Sequence, residues 1–154
     1  MKQRIYIDTS VIGGYFDEEF KEVTIKLFDR LVNNEIKFVV SDLLDLELLK
    51  APQLVREHLL QYSADKFERV DLTEDAIQLA HAYINEKVVG KTSLEDYRHI
   101  ALATINKVDV LASWNFKHIV NLDRIKGYNS VNLRFGYSII EIRSPKDLIN
   151  YGED

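Results

Sequence analysis

Arg4-Ile5-Tyr6-Ile7-Asp8-Thr9-Ser10 is the stretch that decides how this chain folds. Ile5, Tyr6 and Ile7 form a short apolar run of β-branched and aromatic residues, the pattern of a strand buried on both faces. The run stops at a carboxylate and two hydroxyls. Val11, Ile12, Gly13 and Gly14 follow, and the glycine pair is expected to let the backbone turn before a helix. In open α/β sheets, ligands bind outside the carboxyl ends of the strands. Asp8 therefore has two readings. It is a helix N-cap or turn aspartate, or it is a functional carboxylate whose partners come from elsewhere in the chain.

Composition narrows the choices. A chain of 154 residues predicts one domain spanning 1–154, with enough length for a substantial core. There is no cysteine, which excludes disulfides, thiolate nucleophiles and cysteine zinc sites. No run is long enough to cross a membrane, and the first residues carry no apolar signal region, so a cytoplasmic protein with no membrane partner is expected. The net charge of −5 argues against broad electrostatic binding of nucleic acid. A nucleic-acid partner would need a local basic patch or a bound cation.

The rest of the chain alternates strand with helix. Residues 17–32 read as a helix with Phe20, Val23, Leu27, Phe28 and Leu31 on one face, ended by Asn33-Asn34, since Asn tolerates the left-handed conformation. Residues 36–40 read as a second strand. Ser41 reads as the N-cap of a helix running to Lys50, with Asp42 and Asp45 in its first turn. Pro52 ends that helix or opens the next, whose stripe is Val55, Leu59 and Tyr62. A third strand is expected over 67–72. Thr73 should cap a helix burying Ile77, Ala80, Ile84 and Val88 and closed by Gly90. A further helix is expected over 93–107 and a fourth strand over 108–113. Residues 116–125 read as a short helix or ordered loop, 127–136 as loop and 137–142 as a fifth strand. Ser144-Pro145-Lys146-Asp147 should open a short terminal helix with a capping serine. This alternation predicts a three-layer α/β/α sandwich around a mainly parallel sheet.

Four polar residues stand out against that frame. Glu47 shares a helix face with Leu43, Leu44 and Ala51. A carboxylate there is expensive unless paired or metal-bound; otherwise it reaches out to solvent or to Lys50. Asp96 shares a face with Ile100 and Ala103, and it is either half of a capping box with Ser93 or, if Thr92 and Glu95 form the box, free for another role. Asn115 follows a strand end between Trp114 and Phe116 and could equally be a turn residue. If the first and fourth strands are neighbours, Asp8 and Asn115 share one sheet edge. Convergence of Asp8, Glu47 and Asp96 there would place like charges together, a conflict that a hard divalent cation, Mg²⁺ or Mn²⁺, resolves.

At these residues the sequence resembles the PIN-domain nucleases. Ile5 to Ser10 is similar to the family's opening motif. Ser41 to Leu48 is similar to the second, with Glu47 as its acid. Asp96-Tyr97-Arg98-His99-Ile100-Ala101 resembles the third, and Ser113-Trp114-Asn115-Phe116-Lys117-His118-Ile119 the fourth in its Trp-Asn variant. The resemblance covers essentially the whole chain, in order.

It implies a Rossmann-like fold with a five-stranded parallel sheet, and metal-dependent endonucleolytic hydrolysis of RNA leaving 5′-phosphate and 3′-hydroxyl ends. Asp8, Glu47 and Asp96 would hold Mg²⁺ or Mn²⁺, with Asn115 as an outer ligand. Thr9 and Ser10 would contact Asp8, a water or the substrate, and Lys117 and His118 the RNA. Arg98, Arg124 and Lys126 would extend that basic patch, which otherwise is solvated surface. Small stand-alone members are similar to the toxins of toxin–antitoxin pairs, so an antitoxin partner and a homodimer are implied. Many family members carry Asp at the position of Asn115, and the neutral side chain weakens a second metal site. A non-catalytic RNA- or protein-binding module on the same fold is the alternative.

Overall fold

β1 (Gln3–Ile7), β2 (Ile36–Ser41), β3 (Phe67–Val70), β4 (Val110–Ala112) and β5 (Ile142–Arg143) form one all-parallel sheet in the order β3-β2-β1-β4-β5. The structure, a computed structural model, describes residues 2–86 and 94–149. The connecting helices are α1 (Thr9–Gly14), α2 (Lys21–Val32), α3 (Asp42–Leu48), α4 (Gln53–Glu57), α5 (Glu74–Asn85), α6 (Leu94–Ile105) and α7 (Leu122–Arg134).

Alternation along the central strands sorts these helices into two layers, because successive strand side chains point to opposite faces. Ile5, Ile7, Phe38, Val40, Val110 and Ala112 face one way and pack with Leu27, Phe28 and Leu31 of α2. Tyr6, Val39 and Leu111 face the other way and meet α5, α6 and α7 through Tyr83, Ile100, Tyr128 and Val131. The expected three-layer α/β/α sandwich follows directly. Among the described residues, no helix is long and apolar enough to cross a membrane.

Several local expectations are corrected. Gly13 and Gly14 do not turn the chain before a helix; they lie inside α1. Gly14 is needed for packing, since a Cβ there would stand 2.6 Å from the Trp114 indole nitrogen. The helix expected from Asp17 starts at Lys21, and the one expected to reach Lys50 ends at Leu48. In α5 the buried face is Ala76, Leu79, Ala80 and Tyr83, while Ile84 is exposed. Residues 127–136, read as loop, are mostly helix α7. Gly127, Asn129, Ser130 and Asn132 are weak helix formers. Tertiary packing overrides them: Tyr128, Val131 and Asn132 are buried, and Tyr83 Oη donates to Asn132 Oδ1 at 2.6 Å. The fifth strand is only Ile142–Arg143. Ser144 precedes a 3₁₀ turn, Pro145–Leu148, but its hydroxyl makes no capping bond. Val88, Gly90, Thr92 and Ser93 lie outside the described residues. Asn34 adopts φ 62°, as its place after α2 implied, and Ser41 Oγ accepts from Leu44 N as the N-cap of α3.

One buried titratable group outside the sheet edge has a measurable consequence. His58 is 4% exposed. Its ring packs on Tyr15 and Phe28, with centroids 4.1 and 4.9 Å away. Gln61 and Tyr62 meet its two ring nitrogens at 2.9 and 3.0 Å. Burial lowers its pKa below the ordinary 6.5, because the charged form loses hydration. The folded-state value lies below the unfolded one, so the contribution to stability is complete above about 6.5 and is lost as pH falls through the folded value. The melting temperature should therefore drop between about pH 7 and pH 5. His58→Gln, which cannot be protonated in that range, should flatten the drop. An equally steep drop in the variant would place the acid sensitivity elsewhere.

Candidate active site

The strand order reverses at β1. The chain moves outward through β2 and β3, then returns to place β4 on the other side of β1. A crevice opens beyond the carboxyl ends of β1 and β4, the general location of ligand sites in such sheets. Ile7 pairs with Ala112, so the next residues, Asp8 and Ser113, leave the sheet side by side.

Asp8 caps α1, accepting from Val11 N, and is 5% exposed. Ser10 Oγ donates to its Oδ1 at 2.6 Å, and Ser113 Oγ donates to its Oδ2 at 2.6 Å. Each hydroxyl also accepts a backbone N–H from the β4 exit: Trp114 N to Ser10 Oγ at 2.9 Å, Asn115 N to Ser113 Oγ at 3.0 Å. The two serines thus tie the ends of β1 and β4 together and aim both protons at one carboxylate. Burial raises the Asp8 pKa above the usual carboxylate value, and the hydroxyl bonds offset this in part. Among the described residues, Asp8 takes part in no ion pair with Lys or Arg.

Glu47 comes from α3, with a side chain 25% exposed. Thr9 Oγ1 donates to Glu47 Oε1, and His99 Nε2 lies 2.9 Å from the same oxygen. Burial pushes the Glu47 carboxyl up, but the contact with His99 and the Thr9 hydroxyl outweigh it and hold it below the ordinary range. His99 is 1% exposed, and its Nδ1 lies 2.6 Å from Tyr6 Oη, which also meets Ser41 Oγ at 2.8 Å. Burial pushes the Tyr6 hydroxyl well above its usual range, so it stays protonated. Ser41 Oγ already accepts from Leu44 N. Ser41 Oγ, Tyr6 Oη, the two His99 ring nitrogens and Glu47 Oε1 are thus joined in one run of hydrogen bonds. A buried chain from β2 through β1 to α6 therefore ends on the Glu47 carboxylate.

Asp8, Thr9, Ser10, Glu47, Asp96, His99 and Asn115 line one open cavity of about 270 Å³. All four residues singled out as anomalous converge there. Thr9 and Ser10 line it too, with their hydroxyls directed at the carboxylates. Lys117 and His118 do not line it. Lys117 is exposed on the turn after β4, and the His118 backbone N–H donates to Asn115 Oδ1 at 2.9 Å. That bond orients the Asn115 amide so that Nδ2 is the group left to offer a ligand. Sequence reasoning gave Ser113 and Tyr6 no role. The signal for Ser113 was positional, as the residue across from Asp8 once β1 and β4 are paired. Tyr6 carried no such signal, since it reads as part of the apolar run from Ile5 to Ile7.

The donor chemistry suits a hard divalent cation. The cavity offers carboxylate and hydroxyl oxygens, and no sulfur. Its most buried carboxylate has only neutral hydrogen-bond donors. Among the described residues, no three Asp, Glu or His side chains are grouped closely enough to cage an ion. Mg²⁺ is ordinarily held by one or two carboxylates and keeps several waters, so a three-residue cage is not required.

No family model and no curated protein matches this sequence. Solved structures do match. FitAcB from Neisseria gonorrhoeae superposes with a TM-score of 0.60 at 14% identity, over 92% of this chain and 98% of that one. VapC20 from Mycobacterium tuberculosis, a Sarcin-Ricin loop cleaving toxin, superposes with a TM-score of 0.57 at 11% identity, over 73% of this chain and 91% of that one. VapBC2 from Rickettsia felis, bound to a DNA fragment from its promoter, gives 0.57 at 11% identity, over 92% and 98%. At such identities the likeness is one of fold: the chain shares the three-layer α/β/α fold of these proteins.

Proposed function

We propose that this protein is a metal-dependent endoribonuclease whose active site is the cavity between the carboxyl ends of β1 and β4. The observation that carries this reading is the convergence of Asp8, Glu47, Asp96 and Asn115, from four separate elements, on one cavity. The fold shared with an RNA-loop-cleaving toxin supports the choice of RNA.

Asp8 would hold the cation, Mg²⁺ or Mn²⁺, with Glu47 and Asp96 holding it directly or through its waters. When bound, such an ion supplies Lewis-acid polarisation of a phosphate and a more acidic water. The chain's own residues prepare the rest. Ser10 and Ser113 fix both oxygens of Asp8. Thr9 and His99 fix one oxygen of Glu47 and leave the other for ligand. Asn115, held by His118 N–H, presents amide hydrogens suited to a phosphate oxygen. Its neutral side chain thereby serves as a donor where an aspartate would serve as a ligand. Lys117 and His118 stand beyond the cavity, where they would meet the RNA backbone away from the cleaved bond.

The antitoxin complexes among the structural neighbours support a toxin role with a small protein inhibitor. A homodimer belongs to the same reading. Purified protein should cut end-labelled single-stranded RNA in Mg²⁺ or Mn²⁺ to fragments with 5′-phosphate and 3′-hydroxyl ends, and EDTA should stop it. A mixed RNA pool left intact under both metals would count against the enzyme and for a binding module.

A further inference from the structure

A second cleft opens beside the carboxylate cavity and shares two of its walls. It has a volume of about 320 Å³ and is lined by Ser10, Gly13, Gly14, Asp17, Phe20, Trp114 and Asn115. Ser10 and Asn115 also line the first cavity, so the two are adjacent. The volume is at the small end for ligand sites, roughly 300–1,000 Å³.

The wall of this cleft is aromatic and rigid. Trp114 Nε1 donates to Thr24 Oγ1 at 2.9 Å. Phe20 stacks on the indole, with centroids 4.2 Å apart and planes 19° apart. The bare backbone of Gly14 lies against the indole so closely that no Cβ would fit. Gly13 is different: a Cβ there would meet nothing within 4 Å. Its missing side chain leaves the cleft open and does not serve packing. Asp17 stands on the rim, and its Oδ1 accepts from Glu19 N at 2.8 Å, which orients the carboxylate.

We propose that this cleft is a nucleobase subsite selective for guanine, placing a guanosine next to the phosphate that is cut; the placement rests on the ribonuclease reading. Single-stranded RNA is recognised by bases that leave the stack and lie on aromatic side chains. Trp114 is 5% exposed, so the half-buried Phe20, backed by the indole, offers that contact to any base. Asp17 supplies the choice. An ionised carboxylate only accepts hydrogen bonds. Guanine alone presents two adjacent donors, N1–H and N2–H, along one edge. In adenine and cytosine the amino donor sits beside a ring-nitrogen acceptor, and in uracil N3–H lies between two carbonyl oxygens. Those acceptors repel the carboxylate, so they select against the other bases.

Trp114 is the sole tryptophan of the chain, so the indole N–H gives one side-chain signal in a ¹⁵N correlation spectrum. Titration with the four nucleoside 5′-monophosphates, without metal, reads the cleft independently of cleavage. GMP should shift the signal saturably, with an affinity about tenfold above AMP, CMP or UMP. Asp17→Asn should remove most of that preference, and Gly13→Leu should abolish the shift by filling the cleft. An unmoved signal in the wild-type protein, or equal responses to all four nucleotides, overturns the subsite whatever the variants do. The two readings fail separately. RNA cleavage with a GMP-silent indole keeps the nuclease and removes the subsite. A GMP response in a protein that leaves RNA intact keeps a guanine site and removes the nuclease.

Discussion

Asp8→Asn is expected to remove RNA cleavage while melting at or above the wild-type temperature. Loss of a single transition-state hydrogen-bond donor costs roughly 10²–10³ in rate, and loss of the most buried carboxylate of a cation site should cost at least that. The stability effect has the opposite sign to that of most buried substitutions. Burial raises the Asp8 pKa from the ordinary 3.8. A raised folded-state pKa means that the folded protein favours the protonated form. Stability is therefore complete below the unfolded value and is lost as pH rises through the folded one. At neutral pH the charged carboxylate costs stability. Asparagine has the same shape, can still accept from Val11 N and Ser10 Oγ on its one oxygen, turns Ser113 Oγ from donor to acceptor at its amide nitrogen, and removes the charge. A variant that cleaves near the wild-type rate would remove Asp8 from the site. One that unfolds would make Asp8 a structural cap.

His99→Ala is expected to lower cleavage roughly 10- to 100-fold, the usual cost of losing a group that orients a ligand. His99 lines the cavity, but its bonds run from Tyr6 Oη to Glu47 Oε1, so its role is to position Glu47. The variant leaves the buried Tyr6 hydroxyl short of a partner, which adds a stability loss of about 1–3 kcal/mol. His99→Gln separates the two effects, because an amide can still donate to Glu47. Recovery of activity in Gln over Ala, measured as rate at saturating metal together with the metal concentration at half-maximal rate, would support positioning. Equal loss in both would reduce His99 to packing.

Much of this was legible before the fold was known, and for identifiable reasons. The buried strand of Ile5 to Ile7 ended at a carboxylate, and a sheet of alternating βα units places such an end at a ligand crevice. Ser41 had to cap a helix, which set the face of Glu47. Hydrophobic neighbours of Glu47 and Asp96 then marked both acids as facing inward. The relations between elements were not legible. The Tyr6–His99–Glu47 chain joins residues 93 and 52 positions apart, and no local pattern encodes such pairings. Ser113 gains its role only from the β1–β4 register. Helix α7 was hidden because its stabilisation comes from burying Tyr128 and Val131 against α5 and α6, in spite of glycine and asparagine in its middle. The short β5 was overcalled because Ile139 and Ile140 look like strand residues, though Ile139 is 62% exposed.

Calorimetric titration of Mn²⁺ into wild-type protein and Asp8→Asn tests the proposed cation site most directly. The structure predicts saturable binding to the wild-type protein and loss of that binding in the variant. Equal binding to both proteins, or RNA cleavage by a wild-type protein that binds no Mn²⁺ or Mg²⁺, would contradict it.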